Sequence, residues 1–266
     1  MMNTIRPYWT ALRIRARLEM QYRAAALGGL VTQVFFGLVY ICLYTALFDG
    51  SDPRSLQETI TYVWLQQMFF RLLMATDSEL TQQIMTGGVA YTLCRPVDQY
   101  FYWLSRCAAQ KAVGAVMRAL PMLAVQFFLP PGLRMALPAS PAALGQFLFG
   151  LLLGTVTLAE IENICMAFTM QTLDNRGVSA MLRLIMMILA GNIIPLTLFP
   201  ESVQALIRYQ PFAQALDAPT RMYLQAQPFP QWLLNTGVQL FWLAALLLLG
   251  RWMWARRLRN MTVQGG

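Results

Sequence analysis

The sequence contains no histidine and a single lysine, Lys111. Without histidine there is no His/Cys metal set and no Ser/His/Asp triad. The phosphate cradle GxxxxGK[ST] needs a lysine behind a glycine-rich loop. Lys111 instead follows Arg106-Cys107-Ala108-Ala109-Gln110 and precedes Ala112, so the chain cannot hydrolyse ATP by itself and is not read as an enzyme. The four cysteines include no CxxC pair, which argues against a disulfide framework or a thiolate metal site. Charge is scarce too: 12% of residues are charged, against about 25% in a soluble domain.

What is abundant is apolar surface, at 57% of residues. It comes in runs long enough for roughly 20 residues of helix at about 1.5 Å each to cross the hydrocarbon. The reading is an all-α polytopic membrane protein with six transmembrane helices, an N-terminal amphipathic interface helix, and both termini cytoplasmic. The expected crossings cover residues 27–48, 56–75, 112–129, 147–170, 178–199 and 232–254. Turn-rich Asp49-Gly50-Ser51-Asp52-Pro53, the stop Pro130-Pro131-Gly132, Asp174-Asn175-Arg176-Gly177 and Pro200 separate several of them.

Orientation follows from the basic residues, because Lys and Arg accumulate on the cytoplasmic side. Of the 20, only Arg54, Arg134, Arg208 and Arg221 fall outside when the N-terminus is placed inside. Trp232, Trp252 and Trp254 near the two ends of the last crossing fit an aromatic belt. The overall charge of +8 is thus accounted for by topology rather than by nucleic acid. Residues 1–26 lack a signal-peptide cleavage pattern. They read as a helix with Ile5, Trp9, Leu12, Ala16 and Met20 on one face and Arg6, Arg13 and Arg17 displaced from it, suited to the inner membrane surface. That helix serves either as a plain anchor or in docking a partner. Residues 255–266 form a basic cytoplasmic tail.

Two connections are too long to be plain turns. Residues 76–111, inside, contain a helix start at Thr76-Asp77-Ser78-Glu79, a break at Gly87-Gly88, a boundary at Arg95-Pro96 and the aromatic stretch Tyr100 to Trp103. Residues 200–231, outside, hold Pro200, Pro211, Pro219, Pro228 and Pro230, a spacing that predicts short helices only. With Val203, Leu206, Ile207, Phe212 and Leu216 apolar, this piece is expected to dip into the outer leaflet or cap a cavity.

Two segments resemble ABC-2 type export permeases, the membrane subunits of ATP-binding-cassette exporters. One is Gly87-Gly88-Val89-Ala90-Tyr91-Thr92-Leu93-Cys94-Arg95-Pro96-Val97. The other is Ile194-Pro195-Leu196-Thr197-Leu198-Phe199-Pro200, followed by Gln210-Pro211-Phe212-Ala213 and Ala218-Pro219-Thr220-Arg221-Met222-Tyr223. Leu224-Gln225-Ala226 stands where the family usually shows a Gly. The resemblance implies a bacterial cytoplasmic membrane and a dimer with a second permease, identical or related. It also implies two cytosolic ATPase subunits that carry the ATP and Mg²⁺, and no cofactor on this chain. Gly87, Gly88, Leu93, Arg95 and Pro96 are then the ATPase-coupling segment. An ATP-independent carrier and a membrane scaffold are the other classes open to the sequence, although no internal repeat of the carrier type is evident.

Charged and polar residues within the crossings carry the remaining expectations. Glu160 and Glu162 lie about 200° apart around one helix, so they face different surfaces. Arg71, Arg118 and Arg183 sit at similar depth, and an acid is expected to pair with one of these arginines inside the bundle, or else to serve substrate or protons. Gln66, Gln67 and Asn192 either line a translocation path or form interhelical hydrogen bonds. Met68, Phe69, Met181, Met186 and Met187 are either an adaptable wall for an amphiphile or packing and lipid-facing residues.

Overall fold

A computed structural model describes residues 5–21, 23–48, 53–74, 76, 78–172 and 176–259. The turn expected at Asp49 to Asp52, Asp77, Asp174-Asn175 and the tail beyond Arg259 lie outside the described residues. Among the described residues the structure is helical and has no strand. The helices are α1 (Arg6–Gln21), α2 (Arg23–Phe48), α3 (Pro53–Met74), α4 (Ser78–Met85), α5 (Val89–Leu93), α6 (Gln99–Gln126), α7 (Pro141–Thr172), α8 (Arg176–Leu189), α9 (Glu201–Ile207), α10 (Pro211–Leu224) and α11 (Phe229–Arg259).

Three segments are long and apolar enough to cross a membrane: Leu27–Leu47, Pro141–Met170 and Phe229–Arg259. Helix α3 has the length, but it carries Gln66, Gln67 and Arg71, and its middle is buried on every side by protein. Helix α6 carries Arg106, Lys111 and Arg118. A buried helix need not be greasy when its polar groups find partners within the bundle, which is why hydropathy alone passes over both.

Helix α7 is the central post and packs against α10 and α11, while α6 contacts α1, α3 and α7. Two apolar cores result. The larger joins α2, α3, α6, α7, α8 and α10 through residues such as Ile41, Trp64, Met68, Leu72, Met122, Leu158 and Leu216. The second lies at the end of the bundle that carries α1 and unites α1, α4, α5, α6, α7 and α11 through Ala11, Leu80, Ile84, Val89, Trp103, Met166 and Trp254. The segment between α3 and α6 therefore has a core of its own.

Three elements depart from the sequence reading. Helix α6 begins at Gln99, so Tyr100 to Lys111 continue into the third expected crossing instead of forming part of a separate connection. Asp98 starts it as N-cap, its side chain accepting from the Phe101 N–H at 3.3 Å. The expected crossing 178–199 stops as a helix at Leu189, because Gly191 takes φ +75° and Pro195 follows. Fourteen residues of α8 rise only about 21 Å.

In the third departure, α10 runs for 14 residues through a segment where only short helices were expected. Pro211 sits at its first turn, where no N–H is needed. Pro219 lies inside the helix, and its missing N–H frees the carbonyl four residues back, that of Ala215. That carbonyl lies against Gly154 of α7, where any Cβ would overlap it. Helix α10 is buried along almost its whole length, so the shielding that irregular backbone requires is supplied by α3, α7, α8 and α11.

Candidate coupling site

At the α1 end, five side chains form a chain of ion pairs across four helices. Arg71 of α3 meets Glu19 of α1 at 3.1 Å, and Glu19 meets Arg15 one turn earlier at 3.2 Å. Arg15 reaches Glu79 of α4 at 3.4 Å, and Glu79 is bound by Arg106 of α6. Arg15, Glu19 and Arg106 are largely buried, so water screens these pairs less than surface ones. The network fastens α1 and α4 to the bundle helices α3 and α6. The sequence points to no ion pair for Arg15, Glu19, Glu79 or Arg106, with Glu79 read only as part of a helix start; the usable signal is the four-residue spacing of Arg15 and Glu19.

The face of α1 turned to the bundle carries Ala11, Arg15 and Glu19, while Ile5, Trp9 and Met20 of the apolar stripe are exposed. Helix α1 thus binds the protein through ion pairs and through Ala11 and Tyr8, while Ile5 and Trp9 stay exposed on another side, with the Arg13 guanidinium 5.8 Å from the Trp9 ring centre.

The segment expected to couple to an ATPase is ordered at the same end of the bundle. Gly87 closes α4 at φ +74°, a left-handed conformation that disfavours any other L-residue. Gly88 has φ −61° and a Cβ there would meet only ordinary contacts. Leu93 ends α5 and is partly exposed. Arg95 donates to the Tyr102 hydroxyl at 3.0 Å, and Pro96 sits in the bend before Asp98. The Asp98 N–H donates to the Tyr8 hydroxyl of α1 at 3.1 Å, and the Asp98 carboxylate lies 3.5 Å from Arg251 of α11. Gln99 donates to the Thr92 carbonyl at 2.7 Å, which holds α5 against α6.

The acids of α7 face different neighbours, as their angular separation requires. Glu162 meets Lys111 of α6 at 2.9 Å, and Lys111 also donates to the Leu72 carbonyl of α3 at 2.9 Å. The expected arginine partner is replaced by the chain's only lysine. Arg183 lines the same cavity of about 20 Å³ as Lys111, Glu162, Cys165 and Ser179, room for about one water. Arg71 pairs with Glu19 instead, and Arg118 packs over Gly29 of α2. Glu160 is fully buried; Asn163 donates to it at 3.4 Å, and its carboxylate occupies the room left by the missing side chain of Gly250 on α11.

Toward the opposite end, Gln66 and Asn192 come together. Gln66 donates to the Ala190 carbonyl at 3.2 Å and Asn192 donates to the Gln66 carbonyl at 3.3 Å, tying α3 to the turn after α8. Gln67 is buried close by on α3. One turn away, the Tyr62 hydroxyl donates to Asp217 of α10 at 2.8 Å, and Asp217 also holds Arg221 at 2.7 Å. Met68 and Met186 are core residues, Phe69 is buried, and Met181 faces outward.

A helical bundle with three membrane-length apolar helices and charges paired in its interior defines a multi-pass membrane protein. Residues 29–265 match the family model described as ABC-2 family transporter protein, so the chain belongs to the ABC-2 transporter family. No curated protein matches the chain.

Proposed function

We propose that this chain is the permease subunit of an ABC-2 type exporter, working as a dimer with an identical or related permease and driven by two cytosolic ATPase subunits that hold ATP and Mg²⁺. In this reading α2, α3, α6, α7, α8 and α11 are six crossings, α8 being completed by the irregular chain after Gly191, and α10 is a re-entrant helix on the outer side. The α1 end, both termini and residues 76–98 lie in the cytoplasm of a bacterial inner membrane.

The observation that carries the reading is the ion-pair chain from Arg71 through Glu19, Arg15 and Glu79 to Arg106. Helices α4 and α5 are surface elements with their own core, so an ATPase that pushes them moves α3 and α6 with them. Helix α3 then carries the displacement from Arg71 to Tyr62, about 14 Å along its axis, where the Tyr62 hydrogen bond meets the re-entrant helix. Tyr91, on the outer side of α5, is 83% exposed and available for contact with the ATPase. The cargo enters from the membrane or the cytoplasm, and the energy enters through contact alone.

The test is purification of the tagged full-length chain from membranes with mild detergent. A P-loop ATPase in stoichiometric amount, with hydrolysis that loses its dependence on cargo when Gly87 is replaced, is the expected result. A chain that purifies alone and transports without nucleotide would establish an ATP-independent carrier instead.

A further inference from the structure

Helix α11 packs on α7 and α10 through one face, burying Asn235, Gln239, Gly250 and Trp254. Steps of seven and four residues place Phe241, Leu248, Trp252 and Arg259 on a single stripe away from that contact. Phe241, Leu248 and Trp252 are 63%, 72% and 57% exposed. At the end of the stripe, Trp252, Ala255, Arg256 and Arg259 line one surface cleft, with the Arg256 guanidinium 5.7 Å from the Trp252 ring centre. Asp98, which lies beside this end of α11, is engaged with Arg251 at 3.5 Å. Among the described residues, no carboxylate pairs with Arg256 or Arg259.

The geometry points to a binding site for an anionic phospholipid on this face of α11, with the phosphate between Arg256 and Arg259, the glycerol region at Trp252 and an acyl chain along Leu248 and Phe241. The dimensions fit. Phe241 to Trp252 spans about 16 Å of helix, close to half of the roughly 30 Å hydrocarbon core. Two guanidinium groups one turn apart match a phosphate's oxygens and its charge, and tryptophan prefers this level of the bilayer. A second copy packed through the same face of α11 would bury the apolar part but would leave both arginines opposed to their own kind. The site needs α11 in the bilayer and does not depend on the transport reading.

The full-length chain is placed in nanodiscs of phosphatidylglycerol and phosphatidylcholine, with one lipid brominated at a time. Trp252 emission is taken as the difference between the native chain and W252F. Brominated phosphatidylglycerol is expected to quench Trp252 more strongly than brominated phosphatidylcholine at equal content. Each near-surface arginine is worth about fivefold in affinity for anionic lipid, so R256Q/R259Q should lower the preference by roughly thirtyfold. R13Q/R17Q on α1 should leave it in place. Added salt should weaken the preference of the native chain, a reading that needs no variant. Equal quenching by the two lipids, or a preference that survives R256Q/R259Q, would overturn the proposal. A preference that falls equally in R13Q/R17Q would reduce it to general surface potential, and absence of quenching by either lipid would show the face covered by protein.

Discussion

Lys111 and Glu162 face each other at 2.9 Å between α6 and α7, with side chains only 2% and 5% exposed. The pair ties the end of the expected coupling region to the central post. Lys111 adds a bond to the Leu72 carbonyl, so three helices meet at one ammonium group.

Breaking such a pair costs more than replacing it. Lys111→Met is expected to destabilise the chain by about 3–5 kcal/mol, because a carboxylate loses its cation in a low-dielectric interior. Lys111→Met with Glu162→Leu should recover most of that loss. Thermal unfolding of both variants in the same nanodiscs checks this, and equal loss in the two would refute the pairing.

Gly154 and Gly145 lie on the same helix and give opposite expectations. A Cβ at Gly154 overlaps the Ala215 carbonyl, a backbone group that cannot swing aside, so Gly154→Ala should cost about 1–3 kcal/mol. A Cβ at Gly145 meets nothing within 4 Å, so Gly145→Ala should be neutral or stabilising by up to about 1 kcal/mol. Melting temperatures of the two variants compare them directly.

Glu79 joins Arg15 and Arg106, so Glu79→Gln should loosen α1 and α4 while leaving α7 intact. Amide exchange should speed up over Arg6–Gln21 and Ser78–Met85 and stay unchanged over Pro141–Thr172. Uniform exchange throughout would mean that the ion pairs carry no mechanical load between these helices.

Tyr62→Phe removes the donor to Asp217 and should lower stability by about 1.5–3 kcal/mol, the range for a hydrogen bond to a charged group. The effect should be concentrated in faster exchange over Pro211–Leu224. If α10 is as protected as before, it is held by packing alone.

Much of this architecture could be read from composition. Runs of apolar residues located α2, α7 and α11, and the break at Gly87 was visible because a glycine pair interrupts a helical pattern. What escaped was decided by contacts distant in sequence. The partner of Glu162 is 51 positions away, and nothing local distinguishes Lys111 from a surface lysine. Glu79 looked like the opening acid of a short helix, although it also closes an ion-pair chain from α1 to α6. The length of α10 was hidden by Pro219, whose cost is absorbed where the freed Ala215 carbonyl meets Gly154. Local propensity sees the proline and not the glycine across from it.

The account rests on an ATPase acting at the α1 end, and site-specific photo-crosslinking in intact cells tests that claim most directly. A photoreactive residue in place of Tyr91 should capture a protein that contains a P-loop, and one in place of Leu137, which is 88% exposed at the other end of the bundle, should not. Capture of such a protein from position 137, or none from position 91, would contradict both the orientation and the proposed source of energy.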